Sequence, residues 1–147
     1  MSLRIALAAL GSLLLVVSCS DSIEVADECE QQPVETETGL RYEDLECGRG
    51  EEAEGGTSVT ITYVAELEDG VRFASSEDQG GEFVFPLGRG QVISGLDEGV
   101  RGMKVGGSRR LTIPPDIAYG DAGFPPDVGP GETVVYEVEL LGVADNS

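Results

Sequence analysis

The stretch VTITYVAEL, residues 59–67, decides the fold class of this chain, because apolar and polar residues alternate along it. Its odd-numbered residues are all apolar or aromatic, and Thr60, Thr62 and Glu66 lie between them. A period of two is typical of a strand with one face on a core. The stretch ends near Asp69-Gly70, a pair that commonly reverses a strand into a hairpin.

Similar patterns predict further strands, and a capping motif predicts a single helix. The strands are expected at Phe83 to Gly88, at Arg109 to Ile113 and at Thr133 to Leu141. A helix of about two turns is expected between the first and second of these strands, since Ser94-Gly95-Leu96-Asp97 has the form of a capping box and Gly102 is placed to end it. We therefore predict an α+β fold in which an antiparallel sheet of about five strands wraps on one short α-helix.

Composition limits the chemistry that this chain can perform. Its 147 residues include 28 Asp+Glu, 9 Lys+Arg and no His, for a net charge of −19. The absence of His excludes imidazole-based catalytic triads and His-ligated zinc. The negative charge disfavours binding to nucleic acid and to anionic lipid headgroups, because such binding needs an excess of Lys and Arg. We expect no nucleic-acid partner, no metal and no cofactor.

The N-terminal segment has the composition of a secretory signal peptide. An apolar run from Ile5 to Val17 follows Arg4 and is too short to span a bilayer comfortably. It ends in Val16-Val17-Ser18-Cys19, which resembles a bacterial lipobox, whose cysteine is acylated and becomes the new N-terminus. We predict a lipoprotein signal over residues 1–18 and a lipid anchor on Cys19. Ordinary cleavage beside a chance cysteine is the alternative.

The next segment is acidic and has no apolar period. We predict a flexible tether over residues 19–37, as a plain solvated linker in preference to a cation-binding tail. The folded domain is placed at 38–143 and a short tail at 144–147.

If Cys19 is acylated, the remaining thiols are those of Cys29 and Cys47. They would lie in a compartment where thiols are readily oxidised. A disulfide between them is the leading interpretation and would contribute roughly 3 kcal/mol in the chain-entropy model. Two free thiols and an intermolecular bridge are the alternatives.

Five segments carry a family resemblance, and they follow one another in order. They are YVAELEDGVRFASS at 63–76, FVFPLG at 83–88, VISGLDEGV at 92–100, LTIPPDIAYG at 111–120 and VYEVELL at 135–141. Together they resemble the FK506-binding-protein (FKBP) family of peptidyl-prolyl cis-trans isomerases, here in a bacterial lipoprotein form. The resemblance covers roughly residues 38–142 and implies the FKBP-like fold.

The resemblance also implies a function. The protein would accelerate rotation about X-Pro bonds in proline-containing secreted or envelope polypeptides, through an apolar pocket and without a covalent intermediate. FK506-like macrolides would be further, weakly bound ligands. The protein would be a monomer in the bacterial cell envelope, anchored through Cys19, in the periplasm or at the outer membrane of a diderm host.

The resemblance carries a set of pocket residues onto this sequence. They are Tyr63, Phe73, Phe83, Val92, Ile93, Leu96, Tyr119 and Tyr136. Phe73, Ile93 and Tyr119 would be catalytic, with the Ile93 backbone N–H and the Tyr119 hydroxyl donating to substrate carbonyls. Phe124 and Val128 would belong to a mobile flap over the site. Without the resemblance, alternation alone would assign most of these aromatic rings to the core.

Two positions depart from the family's usual pattern. Ala74 stands where the family has an aspartate, and Leu96 stands where the pocket floor is typically tryptophan. Leucine keeps the floor apolar but makes it wider and shallower, and alanine removes a carboxylate from the polar edge. We expect weaker isomerase activity and weaker macrolide binding than in a typical member. The alternatives are a non-catalytic peptide-binding module or chaperone on the same fold, and a purely structural envelope lipoprotein.

Overall fold

The computed structural model describes residues 31–146, which form one antiparallel sheet and one α-helix. The strands are β1 (Val34–Glu35), β2 (Arg41–Glu46), β3 (Thr57–Leu67), β4 (Arg72–Ser75), β5 (Phe83–Pro86), β6 (Ser108–Ile113) and β7 (Val134–Asp145). The helix α1 is Ser94–Val100. The strand order is β1-β2-β6-β7-β3-β4, with β5 also paired to β3. The predicted α+β class is confirmed.

The sheet has seven strands, where about five were predicted. The additional strand β1 lies inside the predicted 19–37 tether, yet Val34 and Glu35 pair with Tyr42 and Arg41. Strand β2 has an edge with unpaired backbone groups, which a two-residue strand can satisfy without any sequence period. The folded part of the chain therefore includes residues that were assigned to the tether.

The C-terminal boundary also differs from the prediction. Strand β7 continues to Asp145 rather than ending at 143. Beyond it, the side chain of Asn146 bonds the hydroxyl of Ser58 at 2.6 Å and the carbonyl of Gly56 at 3.0 Å. These contacts attach the predicted tail to the start of β3.

Strand β3 organises the sheet because both of its edges are used. One edge pairs with β7 along the whole strand, from Thr57 to Leu67. The other edge is shared, since β5 pairs with Ser58–Ile61 and β4 pairs with Val64–Glu66. Tyr63 lies in the gap between β4 and β5, at the middle of the strand.

Ser76 fills this gap in the ladder. Its backbone N–H donates to the Tyr63 carbonyl at 2.9 Å, and its hydroxyl accepts the Tyr63 N–H at 3.0 Å. Ser76 is only 1% exposed. A buried backbone group without a partner is costly, so this side chain takes the place of a missing strand neighbour.

The core lies between the concave face of the sheet and α1. Its fully buried side chains include Leu40, Val59, Ile61, Leu87, Val100, Leu111, Val138 and Leu140. Burial of each such side chain is worth about 1.5–3 kcal/mol relative to exposure. The odd-numbered residues of β3 that were predicted to face the core do so, except that Leu67 at the strand end is only half-buried.

Two glycines let α1 approach the sheet closely. A Cβ at Gly95 would lie 2.2 Å from the side chain of Ile113, and a Cβ at Gly99 would lie 2.5 Å from that of Leu111. Because the two glycines are four residues apart, they lie on one face of the helix. This close approach seats Leu96, which is 3% exposed, beneath the aromatic residues of the sheet.

The predicted capping box at the start of α1 is wrong. Ile93 occupies the N-cap position, without a side-chain cap, and Ser94 is the first helical residue. The Asp97 carboxylate instead accepts the backbone N–H of Gly88 at 2.7 Å, which ties the helix to the turn after β5. Gly102, predicted to end the helix, has a φ of +85° just beyond it.

Several predictions concern residues outside the described part of the chain. The signal segment, the lipid anchor on Cys19 and the thiol of Cys29 all fall there. Cys47 is described, and it is disulfide-bonded. In residues 31–146, no helix has the length and apolar character needed to cross a membrane.

A buried ion pair joins β2, β6 and α1. The Arg109 guanidinium donates to both carboxylate oxygens of Asp44, at 2.5 and 3.1 Å, and to the carbonyl of Gly99 at 3.0 Å. The same guanidinium lies 4.4 Å above the ring of Tyr42. Both charged side chains are 10% exposed, so either one would be left buried without its partner if the other were removed.

Arg109→Met should therefore lower the free energy of unfolding by about 3–5 kcal/mol in urea titrations. Arg110→Met provides a matched control on the next residue of β6. Arg110 pairs with Glu137 on the opposite, half-exposed face, where a pair is worth about 0–1 kcal/mol. Equal losses in the two variants would contradict this account of the buried pair.

Candidate functional site

A cavity of about 350 Å³ opens at the middle of the concave face. Its walls come from β3, β5, β7, the 3₁₀ turn Glu77–Gln79, the turn before α1, α1 itself and the β6–β7 loop. The lining residues are Tyr63, Gln79, Phe83, Gln91, Val92, Ile93, Leu96, Tyr119 and Tyr136. None of the nine carries a charge at neutral pH, so the cavity is uncharged and combines aromatic and aliphatic groups with polar atoms from its tyrosines and glutamines.

The aromatic rings of the cavity support one another. The ring of Tyr63 lies 5.7 Å from that of Phe83, edge to face, and 5.5 Å from that of Tyr136. The ring of Phe73 meets Tyr119 and Tyr136 edge-on, at 6.2 and 6.3 Å. These separations and angles are those that aromatic pairs prefer, which stabilises the arrangement of the walls.

The long β6–β7 loop is ordered by local contacts. Two 3₁₀ turns, Pro115–Ile117 and Gly120–Ala122, place Tyr119 between them. Phe124 and Val128 then pair across a narrow turn. The exposed ring of Phe124 stacks on Tyr119 at 5.4 Å, whereas Val128 is 1% exposed and belongs to the core.

The structure brings together seven of the ten predicted pocket and flap residues around one cavity. They are Tyr63, Phe83, Val92, Ile93, Leu96, Tyr119 and Tyr136. Phe73 is not among the lining residues, but its ring contacts two tyrosines that are. Phe124 is at the rim through its contact with Tyr119. Val128 does not line the cavity, because its side chain anchors the loop in the core.

Two glutamines that were not predicted from the sequence also line the cavity. Gln79 follows the strand β4 in a 3₁₀ turn, Glu77–Gln79, and Gln91 directly precedes Val92. No apolar period marks either residue. The one available signal was the position of Gln91 at the edge of the segment 92–100 that carries the family resemblance.

Hydrogen-bond donors converge on the cavity. In the described part of the chain, the backbone N–H of Ile93 donates to no other group, although the Ile93 carbonyl accepts from Leu96 and Asp97. The hydroxyls of Tyr119 and Tyr136 are 2.9 Å apart. One of their two hydrogens forms this bond, so the other is available to a bound carbonyl.

Burial raises the pKa of two tyrosine hydroxyls of the cavity, those of Tyr63 and Tyr136. Desolvation raises the pKa of Tyr63, an effect that the hydrogen bond from Gln79 partly offsets. Desolvation also raises the pKa of Tyr136, and the hydrogen bond with Tyr119 raises it further. The hydroxyl groups of these two residues therefore remain neutral donors well above neutral pH.

Two other depressions of the surface are larger than this cavity but differ from it in the residues that line them. One, of about 400 Å³, is bordered by Arg41 and Arg110 on the outer face of the sheet. The other, of about 470 Å³, is bordered by Glu68 and Glu132. Among the described residues, the first has Tyr42 as its one aromatic lining residue and the second has none, so neither gathers several aromatic rings as the cavity does.

Known proteins are similar to this chain in sequence. The profile of the family described as FKBP-type peptidyl-prolyl cis-trans isomerase matches residues 49–141. An FK506-binding protein of Neisseria meningitidis is 48% identical over 105 residues, covering 71% of this chain and 96% of that protein. The 39 kDa FK506-binding nuclear protein of Drosophila melanogaster is 47% identical over 105 residues, covering 71% of this chain. This chain spans only 29% of the length of the Drosophila protein.

A solved structure has the same fold. The crystal structure of FkpA from Escherichia coli superposes with a TM-score of 0.72 and 38% sequence identity, over 80% of this chain and 54% of that one. The profile match spans well over half of the chain, and the neisserial relative is matched over nearly its whole length. The cavity residues from Tyr63 to Tyr136 all lie within the matched range. The chain therefore belongs to the FKBP-type peptidyl-prolyl cis-trans isomerase family.

Proposed function

We propose that this protein accelerates the cis–trans isomerisation of X-Pro bonds in polypeptides that bind the cavity around Leu96. Rotation about such a bond has a barrier of about 18–20 kcal/mol, because the twisted amide loses its resonance. No covalent bond needs to break, so no nucleophile is required. The observation that carries the proposal is an uncharged aromatic cavity with free hydrogen-bond donors at its edge.

The apolar lining would favour the transition state over the ground state. A planar amide has greater charge separation than a twisted one, so a site that excludes water stabilises the twisted form relative to the planar form. Leu96 closes the cavity from below, and the rings of Tyr63 and Phe83 form adjoining walls. A proline ring could lie between these groups without exposing them to water.

The free donors would hold the substrate backbone. The N–H of Ile93 and the hydroxyl pair of Tyr119 and Tyr136 can each donate to a carbonyl of the peptide. Fixing the chain on either side of the rotating bond orients it for rotation, which lowers the entropic cost of reaching the transition state.

The two departures from the family pattern would tune this activity. Leu96 leaves more space at the floor than a tryptophan would, and Ala74 offers no carboxylate to the polar edge. We propose weaker isomerase activity and weaker binding of FK506-like macrolides than in a typical family member, because both changes remove contacts to a bound ligand.

Tyr119→Phe tests the donor role directly. Loss of one hydrogen bond to the substrate should lower kcat/KM by about threefold to tenfold in a protease-coupled assay with a Leu-Pro peptide. Tyr42→Phe is the matched control, because Tyr42 packs under Arg109 away from the cavity. Its activity should equal that of the unmodified protein. Equal rates for all three proteins would refute the role of Tyr119.

A further variant, Phe73→Ala, separates the enzyme from a peptide-binding module. Phe73→Ala removes the ring that supports Tyr119 and Tyr136, so it should reduce catalysis more than it weakens peptide binding measured by calorimetry. If Phe73→Ala instead abolished chaperone activity while the isomerisation rate stayed constant, the binding-module interpretation would be favoured.

The activity should be nearly independent of pH between about pH 5 and pH 9. Among residues 31–146, no carboxylate lines the cavity, and the raised pKa values of Tyr63 and Tyr136 keep their hydroxyls protonated throughout this range. The stabilisation of the fold linked to these two groups is complete below about pH 10 and is lost only at higher pH. A bell-shaped profile centred near neutral pH would contradict a neutral site.

We also propose a lipid anchor on Cys19 and substrates among secreted or envelope proteins. The sequence around Cys19 supports this proposal, since a small residue directly precedes the cysteine. The acidic residues that follow would keep the folded domain solvated away from anionic headgroups. An acyl chain contributes about 0.8 kcal/mol per buried methylene, so two or more chains would hold the domain on a membrane.

Expression of Cys19→Ser in a bacterium should move the protein from the membrane fraction to the soluble fraction and abolish incorporation of labelled palmitate. Cys29→Ser is the matched control and should retain the label, because it lies beyond the proposed cleavage site. Membrane association of Cys19→Ser equal to that of Cys29→Ser would overturn the proposed anchor.

A further inference from the structure

Gln79 fixes the direction of the hydrogen bond at the Tyr63 hydroxyl, whose oxygen is the acceptor. The Gln79 side-chain nitrogen donates to the Tyr63 hydroxyl oxygen at 2.8 Å, and both residues line the cavity. A phenol oxygen that accepts a hydrogen bond still carries its own hydrogen. That hydrogen cannot return to the nitrogen that donates to it, so it is available to a group within the cavity.

A single turn fixes both ends of this contact. The Gln79 backbone N–H donates to the Ser76 carbonyl at 2.9 Å, and Gly81 donates to the same carbonyl at 2.9 Å. Gly80 closes the turn with a φ of +107°, a conformation that favours glycine. Because Ser76 also bonds the backbone of Tyr63 twice, the turn positions the Tyr63 main chain and its hydroxyl together.

No other group in the described residues bonds to the Tyr63 hydroxyl. Ala74 presents only a methyl group, and the hydroxyl of Tyr136 is bonded to Tyr119. The Gln79 carboxamide is thus the polar partner that decides in which direction the Tyr63 hydrogen points.

We propose that Gln79 is a positioning residue, which orients the Tyr63 hydroxyl so that Tyr63 acts as a further hydrogen-bond donor to a carbonyl of the bound peptide. This role rests on the proposed isomerase function. Tyr63 would then act together with Ile93 and Tyr119, and the cavity would hold the peptide backbone by three donors without any charged side chain.

The ionisable groups around Gln79 decide at which pH a glutamate placed at this position can be tested. Asp78, its neighbour, bonds Arg72 and Ser75, and the Arg72 guanidinium lowers the pKa of this exposed carboxyl. Glu77 and Glu82 are exposed on either side of the turn. The ionisable residues that line the cavity are tyrosines. A glutamate at position 79 would therefore be the lining group that titrates below neutral pH, near the ordinary glutamate pKa of about 4.3.

Gln79→Glu should make the activity depend on pH. A protonated carboxyl can donate to the Tyr63 oxygen as the carboxamide does, whereas a carboxylate accepts the Tyr63 hydrogen and withdraws it from the substrate. We expect kcat/KM to fall about threefold to tenfold at about pH 8 and to recover to within about twofold of the unmodified protein, measured at the same pH, at about pH 4. Circular dichroism at both pH values checks that the variant is folded.

Tyr63→Phe is the control protein in which Gln79→Glu is tested a second time. It should lower kcat/KM by a similar factor at both pH values, and adding Gln79→Glu to it should have no further pH-dependent effect. Gln91→Glu places the same charge in the cavity lining, without a bond to Tyr63 within the described residues. Its effect should be the same with or without the Tyr63 hydroxyl. Gln79→Met removes the bond without adding a charge and should cause a pH-independent loss.

The role of Gln79 is overturned if Gln79→Glu keeps full activity at both pH values, or if its pH dependence persists in the Tyr63→Phe background. If Gln79→Glu does not fold, Gln79→Met is the deciding variant, and full activity of Gln79→Met would also overturn the role of Gln79. If the unmodified protein itself fails to isomerise the peptide, the proposed function is refuted, which is a distinguishable outcome.

Discussion

The register between β3 and β7 is the constraint on which the rest of the structure depends. It places Ala65 opposite Tyr136 and Tyr63 opposite Val138, so the two tyrosine rings lie diagonally on the same face, 5.5 Å apart. A slip of one residue would turn every side chain of β3 to the other face. The burial of alternate residues along both strands prevents such a slip, because it would expose the core.

Interactions remote in sequence then complete the site around these two rings. Ser76 occupies the gap in the β3 ladder, and its turn carries Gln79 to the cavity. Gly95 lets α1 lie close to β6, and Arg109 bonds the end of that helix to the buried Asp44. Each element thus contributes to positioning one cavity, in which the aromatic rings and the hydrogen-bond donors are held near one another.

The fold was largely predictable from sequence because burial leaves a visible period. The alternation at 59–67 and the order of the resembling segments were enough to predict the sheet, the helix and seven of the cavity residues. What could not be predicted depends on partners distant in the chain. Asp97 bonds Gly88 rather than capping its own helix, and Gln79 bonds Tyr63, sixteen residues earlier. Neither contact has a local sequence pattern.

The central claim is that an uncharged cavity performs catalysis by rotation alone, in a chain whose net charge is −19. Two-dimensional exchange NMR of a Leu-Pro peptide with the unmodified protein tests it most directly. The account predicts cis–trans exchange that accelerates in proportion to protein concentration, with chemical-shift changes centred on Tyr63, Leu96 and Tyr119. Peptide binding at those residues without faster exchange, or faster exchange without shift changes there, would contradict it.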